Sequence, residues 1–271
     1  MKNKDTNRYH FDEPKHVHSL DGKPLDGTSS VCGIVYKPLS WWASGKAVEI
    51  FGWVHKRERI QTRLEASNAV LKKIKKMGDR EYLDLIDKAY KNHNVFLDTS
   101  AQKGTDLHAE LETWAKGQMT GEKKEPINQI LRFVNWCREN VDEFLWTELH
   151  VYSEKNWTGG ICDLGVKLTD GRIGLIDHKS SKETYYTHFL QDGGYVLQVE
   201  ENKGGFDKDG NRIFELEKPI DFIGVVPYGG DDNTPVIKDN VKDFKDEFKS
   251  ALKLYRGNKR FNKQKKPKST Y

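Results

Sequence analysis

Apolar positions change their period along this chain. Up to about residue 141 they recur every three or four positions, as on helices; from 144 to 180 they alternate or run together, as in strands. The first part predicts a Trp-rich helix over 40–56, two charged helices within 58–92 broken near Gly78, and helices over 99–117 and 126–141, the last after Pro126. Ahead of them, residues 8–37 read as an irregular hairpin with an Asp21-Gly22 turn, and Thr28-Ser29-Ser30 is placed to cap a turn or helix. Strands follow over 144–152 and 159–180, with turns at Asn156-Trp157-Thr158-Gly159 and Thr169-Asp170-Gly171-Arg172. A helix over 183–200, one or two strands over 211–228 and a helix over 238–256 complete the order, without an internal repeat. Such an order predicts an α/β (α+β) fold with one central sheet.

The strands also carry chemistry. In RIGLIDHK, period two puts Ile173, Leu175, Asp177 and Lys179 on one face. In GICDLGVKL, Ile161, Asp163 and Gly165 share one face, and Cys162, Leu164, Val166 and Leu168 the other. Both strands are apolar on both faces near their middles, as interior strands under helices are. A buried carboxylate is costly unless it is paired or binds a metal. Two acids and a lysine at neighbouring strand positions therefore suggest a metal site with a positioned base or charge stabiliser. The turn sets the register. A two-residue Asp170-Gly171 loop would put Asp163 opposite His178; a three-residue Thr169–Gly171 loop, with Gly171 left-handed, puts it opposite Asp177. The shared site requires the second, and that loop is expected.

Composition narrows the class. At 271 residues the chain suits one large domain or two small ones. A charged fraction of 32% and a mean hydropathy of −0.80 describe a hydrated surface. No stretch approaches the roughly 20 apolar residues of a membrane helix, and MKNKDTNRYHFDEP lacks the apolar core of a signal peptide. No membrane partner is expected, and the expected location is the cytoplasm of a bacterial or phage-infected cell. Cysteines at 32, 137 and 162 fit a reducing compartment and offer no zinc or iron–sulfur framework. The net charge of +4 rests on the last fourteen residues, with six basic side chains and no acid; without them 39 basic residues face 41 acidic ones. Residues 257–271 are therefore expected to form a basic disordered tail.

Two further helices carry polar groups. His108 edges the stripe Leu107, Leu111 and Trp114, four residues before Glu112, and by itself reads as a core histidine. His188, Gln191, Tyr195 and Gln198 form a polar stripe that by itself reads as a half-exposed amphipathic face. Taken in order, Gly104-x-x-x-His108, Glu148, Gly160-x-x-Asp163, Asp177-x-Lys179 and Gln191-x-x-x-Tyr195 resemble the PD-(D/E)XK nuclease superfamily, most of all its RecB-like exonuclease branch. The resemblance covers about 100–200. The stretch DGKPLDGTSSVCGIVYKPLSWWASGKA is also similar to the opening segment of phage-type and mitochondrial-type exonucleases.

The resemblance implies a restriction-endonuclease-like core over 99–256, with a central mixed sheet flanked by helices, and an N-terminal hairpin and helical elaboration over 1–98 packed on it. It implies Asp163 and Asp177 as ligands of Mg²⁺ or Mn²⁺, His108 as a third ligand and the His178 carbonyl as a fourth. Lys179 would act with the two acids, orienting or deprotonating the attacking water. Gln191 and Tyr195, with Ser180 and Ser181 after the strand, would hold the DNA. Glu112 and Glu148 would stand behind the ligands, or Glu148 would be a structural strand residue. The implied activity is a metal-dependent DNA exonuclease. A structure-specific or nicking endonuclease is the alternative; an inactive DNA-binding module is a third reading, against which the intact acids and lysine speak. Single-stranded DNA or duplex ends, and a recombination or single-strand-binding protein, are the implied partners. Relatives with an iron–sulfur cluster use four cysteines, so no cluster is expected here. Trp41, Trp42 and Trp53 would either stack unpaired bases or pack helices onto the sheet; packing is the expectation.

Overall fold

The computed structural model describes residues 8–35, 39–122 and 125–265. The chain divides into two compact units, Met1–Val35 with Asp106–Tyr271, and Tyr36–Thr105. The first unit begins with β1 (Tyr9–Asp12), β2 (Val17–Leu20), β3 (Lys23–Pro24), β4 (Asp26–Gly27) and α1 (Thr28–Cys32). The second holds α2 (Leu39–Glu49), α3 (Ile60–Ile74) and the N-terminal part of α4 (Asp79–Thr120). The first resumes within α4 and continues through a 3-10 turn (Asn128–Ile130), α5 (Leu131–Asn140), β5 (Val141–Ser153), β6 (Thr158–Leu168), β7 (Ile173–Lys179) and α6 (Tyr186–Asn202). It ends with β8 (Gly204–Phe206), β9 (Arg212–Glu215), β10 (Phe222–Pro227), β11 (Val236–Lys238) and α7 (Val241–Lys265).

The expected α/β class holds. A mixed sheet runs β11-β10-β7-β6-β5-β8-β9, and β4 joins β6 at Thr158 and Gly159, beyond the stretch of β6 that pairs with β7. The β7–β10 pair is parallel, which requires a crossover, and α6 supplies it. On one face Leu107, Leu111 and Trp114 of α4, with Phe133 and Val134 of α5, pack on Leu164, Val166 and Ile176. On the other, Phe189, Val196 and Val199 of α6 and Phe244 of α7 pack on Leu149, Leu175 and Val225.

The β6–β7 hairpin has the three-residue loop. Leu168 N–H donates to Arg172 O at 2.8 Å, and Gly171 between them has φ +86. Leu164 pairs with Ile176 and Lys167 with Ile173. Continued by one residue, that register sets Asp163 against Asp177.

Several expectations need correction. Cys162 does not share a face with Leu164 and Val166: it packs with Leu149 and Leu175 on the opposite side. Period two fails at Glu148, which has φ +50 in the middle of β5 and lies between the pairs Leu149↔Cys162 and Thr147↔Leu164. The charged helix ending near 92 and the helix over 99–117 are one continuous helix, α4. No proline separates them, and glycine alone costs a helix interior only about 1 kcal/mol. The Trp-rich helix ends early, at Glu49, and Gly52 follows with φ +82. Thr28 does not cap α1; its hydroxyl donates to Gly159 O at 3.0 Å.

The boundaries move too. Residues 8–35 belong with the sheet rather than with the helical elaboration, because β4 pairs with β6 and Tyr9 stacks on Tyr152 and Phe206. The basic tail is not disordered as far as Lys265: α7 carries Lys259, Arg260, Lys263 and Lys265. Asp26 ties that stretch down, with Arg256 Nε at 3.0 Å and Lys259 Nζ at 2.7 Å. Lys266 and Lys268 lie outside the described residues.

Candidate metal centre

The C-terminal end of β7 brings the predicted site together. Asp177 is fully buried, and Lys179 Nζ lies 2.8 Å from its Oδ1 and 2.6 Å from its Oδ2. Alternation explains the pair: both side chains leave the same face of one strand. Burial raises the Asp177 carboxyl, Lys179 opposes this and Asp163 reinforces it, leaving a pKa of about 6. Burial works against the Lys179 ammonium, but Asp177 and Asp163 outweigh it and hold its pKa above the ordinary lysine value.

On the neighbouring strand Asp163 accepts the His178 backbone N–H at 2.7 Å through Oδ2. That oxygen is 3.7 Å from His108 Nδ1. His108 reaches the strand from α4, and its Nε2 lies 2.9 Å from the His178 carbonyl oxygen. His108 thus sits at the edge of the α4 stripe, half-buried and aimed at Asp163 in the middle of β6 and at the C-terminal end of β7. The His178 ring points the other way, into the core against Phe133, with Tyr228 Oη 3.2 Å from Nδ1. Burial depresses its pKa to about 3. Only its backbone serves the site.

Glu148 stands closer to the chemistry than expected. His108, Glu148 and Asp163 each offer a ligand atom, and these atoms all lie within 4.8 Å of one another. The left-handed backbone at Glu148 is what brings its carboxylate over; a non-glycine residue at positive φ costs free energy and persists where its surroundings enforce it. Burial, then Asp163 and Glu112, push its carboxyl up to about 8. Glu112 itself pairs with Lys116 one helical turn on.

The cleft residues divide. Gln191 is half-buried and donates from Nε2 to Tyr195 Oη at 2.7 Å. Tyr195 is buried, its ring packed over Gly160, where no Cβ would fit. Gln198 is buried as well and binds Thr28 and Thr158 hydroxyls at 2.6 and 2.9 Å, and His188 is buried; the stripe is interior, not a half-exposed face. Ser180 is exposed, while Ser181 Oγ donates to Glu183 O at 2.8 Å.

No protein-family model matches the chain. Comparison with curated proteins likewise finds no match. The site therefore stands on its own geometry.

One residue escaped the sequence reading. Asp192, next to Gln191 on α6, is fully buried, and neither carboxylate oxygen has a hydrogen-bond partner among the described residues. Burial, then Asp177, raise its pKa well above the ordinary value. A charged residue in the sequence FLQDGGYVL, apolar or glycine on most sides, was the available signal. The three cysteines lie in three separate hydrophobic clusters.

Proposed function

We propose that the protein is a metal-dependent phosphodiester hydrolase acting on DNA. The observation that carries the reading is the convergence of His108, Glu148 and Asp163 beside the buried Asp177–Lys179 pair. The donor set fits Mg²⁺ or Mn²⁺: carboxylate oxygens with one imidazole. Two further features support the fit. Burial above all, then the neighbouring Asp163 and Glu112, raises the Glu148 carboxyl, a cost that a bound cation would relieve. The hydrogen-bond contact of 2.9 Å between His108 Nε2 and the His178 carbonyl oxygen also holds both groups at the site.

His108, Glu148 and Asp163 would hold the ion, with Asp177 and the His178 carbonyl beside them. A divalent ion there would polarise the phosphodiester and lower the pKa of water. The chain's own residues do the rest. Lys179, kept cationic by Asp177, is placed to orient water and to stabilise charge that develops on the phosphate. Asp163 fixes the strand end by accepting the His178 N–H. Gln191, braced by Tyr195, offers its remaining amide capacity to a substrate backbone. Among the described residues no helix is long and apolar enough to cross a membrane; a cytoplasmic location accords with this reading.

The test is digestion of linear and covalently closed circular DNA, single- and double-stranded, with Mg²⁺ or Mn²⁺. Degradation of linear substrates alone is expected of an exonuclease. Cutting of closed circles would make it an endonuclease, and no cleavage of any substrate would end the reading.

A further inference from the structure

We propose that the unit Tyr36–Thr105 carries a binding site for a single-stranded polynucleotide, built on Trp42, Trp53 and the basic run after Trp53. The choice of nucleic acid rests on the hydrolase reading, but the residues are separate from the metal centre.

Trp41, Trp42 and Trp53 were expected to pack, yet Trp42 and Trp53 are 36% and 40% exposed; the Trp41 side chain lies outside what is described. They line a groove of about 710 Å³ with Gly45, Val48, His55 and Lys56. Trp53 lies over Gly45, and its ring meets His55 edge-on at 5.9 Å. The groove's one acid, Glu49, is held by Lys46 at 2.8 Å. Lys56, Arg57 and Arg59, with Glu58 as the one acid among them, are exposed and make no ion pair with a described residue, a net charge of +2 over four positions. The backbone behind the groove is firm: Gly52 packs against the Ala66–Ser67 backbone of α3, where a Cβ would clash.

Charge selects the occupant. Tyr36–Thr105 holds fourteen Lys and Arg against eight Asp and Glu, while the whole chain is only +4. A protein partner would have to desolvate unpaired cations beside the rings, and interface cores are depleted of charge. A single strand uses both features: bases stack on the indoles, and phosphates take the cations and release their counterions. A duplex hides its base faces and would leave the indoles idle.

The experiment titrates labelled oligothymidylate and oligouridylate into the full-length protein in EDTA, reading anisotropy and tryptophan quenching at several KCl concentrations. Trp42→Ala and Trp53→Ala should each weaken binding by roughly 5- to 150-fold. The double variant K56Q/R57Q should make the slope of log K against log salt shallower by about 1.4, some 0.7 per lost contact. The two oligonucleotides decide between DNA and RNA as the strand. Trp variants that are folded by circular dichroism and bind as tightly as wild type would overturn the proposal. If those variants misfold, an unchanged affinity and slope in K56Q/R57Q, whose side chains are exposed, would overturn it equally. Loss of a self-associated species by sedimentation, with oligonucleotide binding unaltered, would instead mark a surface between copies and refute the strand site. The two readings fail separately: strand binding lost in the Trp variants but no cleavage by wild type with Mn²⁺ sinks the hydrolase and keeps the groove, and cleavage with unaffected Trp variants does the reverse.

Discussion

Asp192 adds a fourth acid to the neighbourhood of Glu148, Asp163 and Asp177, and Lys179 pairs with only Asp177. Its raised pKa means that folding binds a proton that the unfolded chain releases above about 3.9. Asp192 therefore weakens the fold increasingly as pH rises. Asp192→Asn should raise the melting temperature of the metal-free protein, more at pH 7 than at pH 4, since the loss begins at the unfolded value near 3.9; a variant that melts lower at both would show that the carboxyl makes a needed contact. Glu148 allows a metal test. Mn²⁺ at about 100 times its dissociation constant should stabilise wild type by about 2.7 kcal/mol. His108→Ala and Glu148→Gln should lose most of that increment, and Asp163→Asn nearly all. Lys179→Ala should lower the single-turnover rate far more than DNA affinity, because the ammonium acts on charge that appears in the transition state. Equal losses in rate and affinity would make it a binding residue. Histidines set the acid limit. Burial lowers His18 to about 3 and His150 to about 4, and Tyr9 Oη lies 2.6 and 3.1 Å from their Nδ1 atoms. Their folded pKa values lie below the unfolded value near 6.5. The stability tied to their neutral forms is complete above pH 6.5 and lost as pH falls towards 4 and 3. Each contributes a slope approaching about 1.4 kcal/mol per pH unit within that window. Urea unfolding between pH 7 and 4 should show the loss, with a shallower slope in His150→Gln.

At the scale of elements, the β6–β7 hairpin and α7 decide most. The hairpin loop fixes which face Asp163 and Asp177 share, and Gly171 permits it. Gly171→Ala at φ +86 should cost about 1 kcal/mol of stability without moving the register. Gly160→Ala is expected to be worse, because its methyl would collide with the Tyr195 ring and disturb Gln191. The α7 helix is anchored across the sequence. Arg256 bonds Asp26 at 3.0 Å, Asn156 O at 2.6 Å and Trp157 O at 3.3 Å. Its removal would leave Asp26, which is mostly buried, with Lys259 alone. Arg256→Ala should cost about 1–3 kcal/mol in thermal or chemical unfolding, and Lys259→Ala, half exposed, about 1 kcal/mol at most.

For the whole molecule, the net charge of +4 conceals a division of sign. Tyr36–Thr105 is net positive, whereas the rest, tail included, holds 31 basic and 33 acidic residues. Truncation after Gly257 removes six of those basic groups and the Lys259 tie to Asp26. It should lower the melting temperature slightly and still leave most of the salt dependence of DNA binding, because the exposed run Lys56–Arg59 remains. A truncated protein whose binding no longer responds to salt would place the electrostatic footprint in α7 instead.

Local pattern alone determined the strand-rich middle of this chain and the Asp177–Lys179 alternation, because period two acts over a few neighbouring residues; the three-residue loop was expected only because a site shared by Asp163 and Asp177 requires it. The local stripe placed His108 at its edge, where it reads as a core histidine; only the resemblance to nucleases made it a ligand candidate. Local pattern missed what depends on distant partners. Glu148 reads as an ordinary strand residue until its left-handed backbone, opposite Asp163, interrupts the alternation of β5. Asp192 stays unremarked until burial in α6 strands its carboxylate near Asp177. The ties of α7 to Asp26, more than two hundred residues away, and the exposure of Trp42 and Trp53 likewise belong to the folded chain. Period and turn type are properties of short segments; burial, strand opposition and ion pairing belong to surfaces that meet only when the chain has folded.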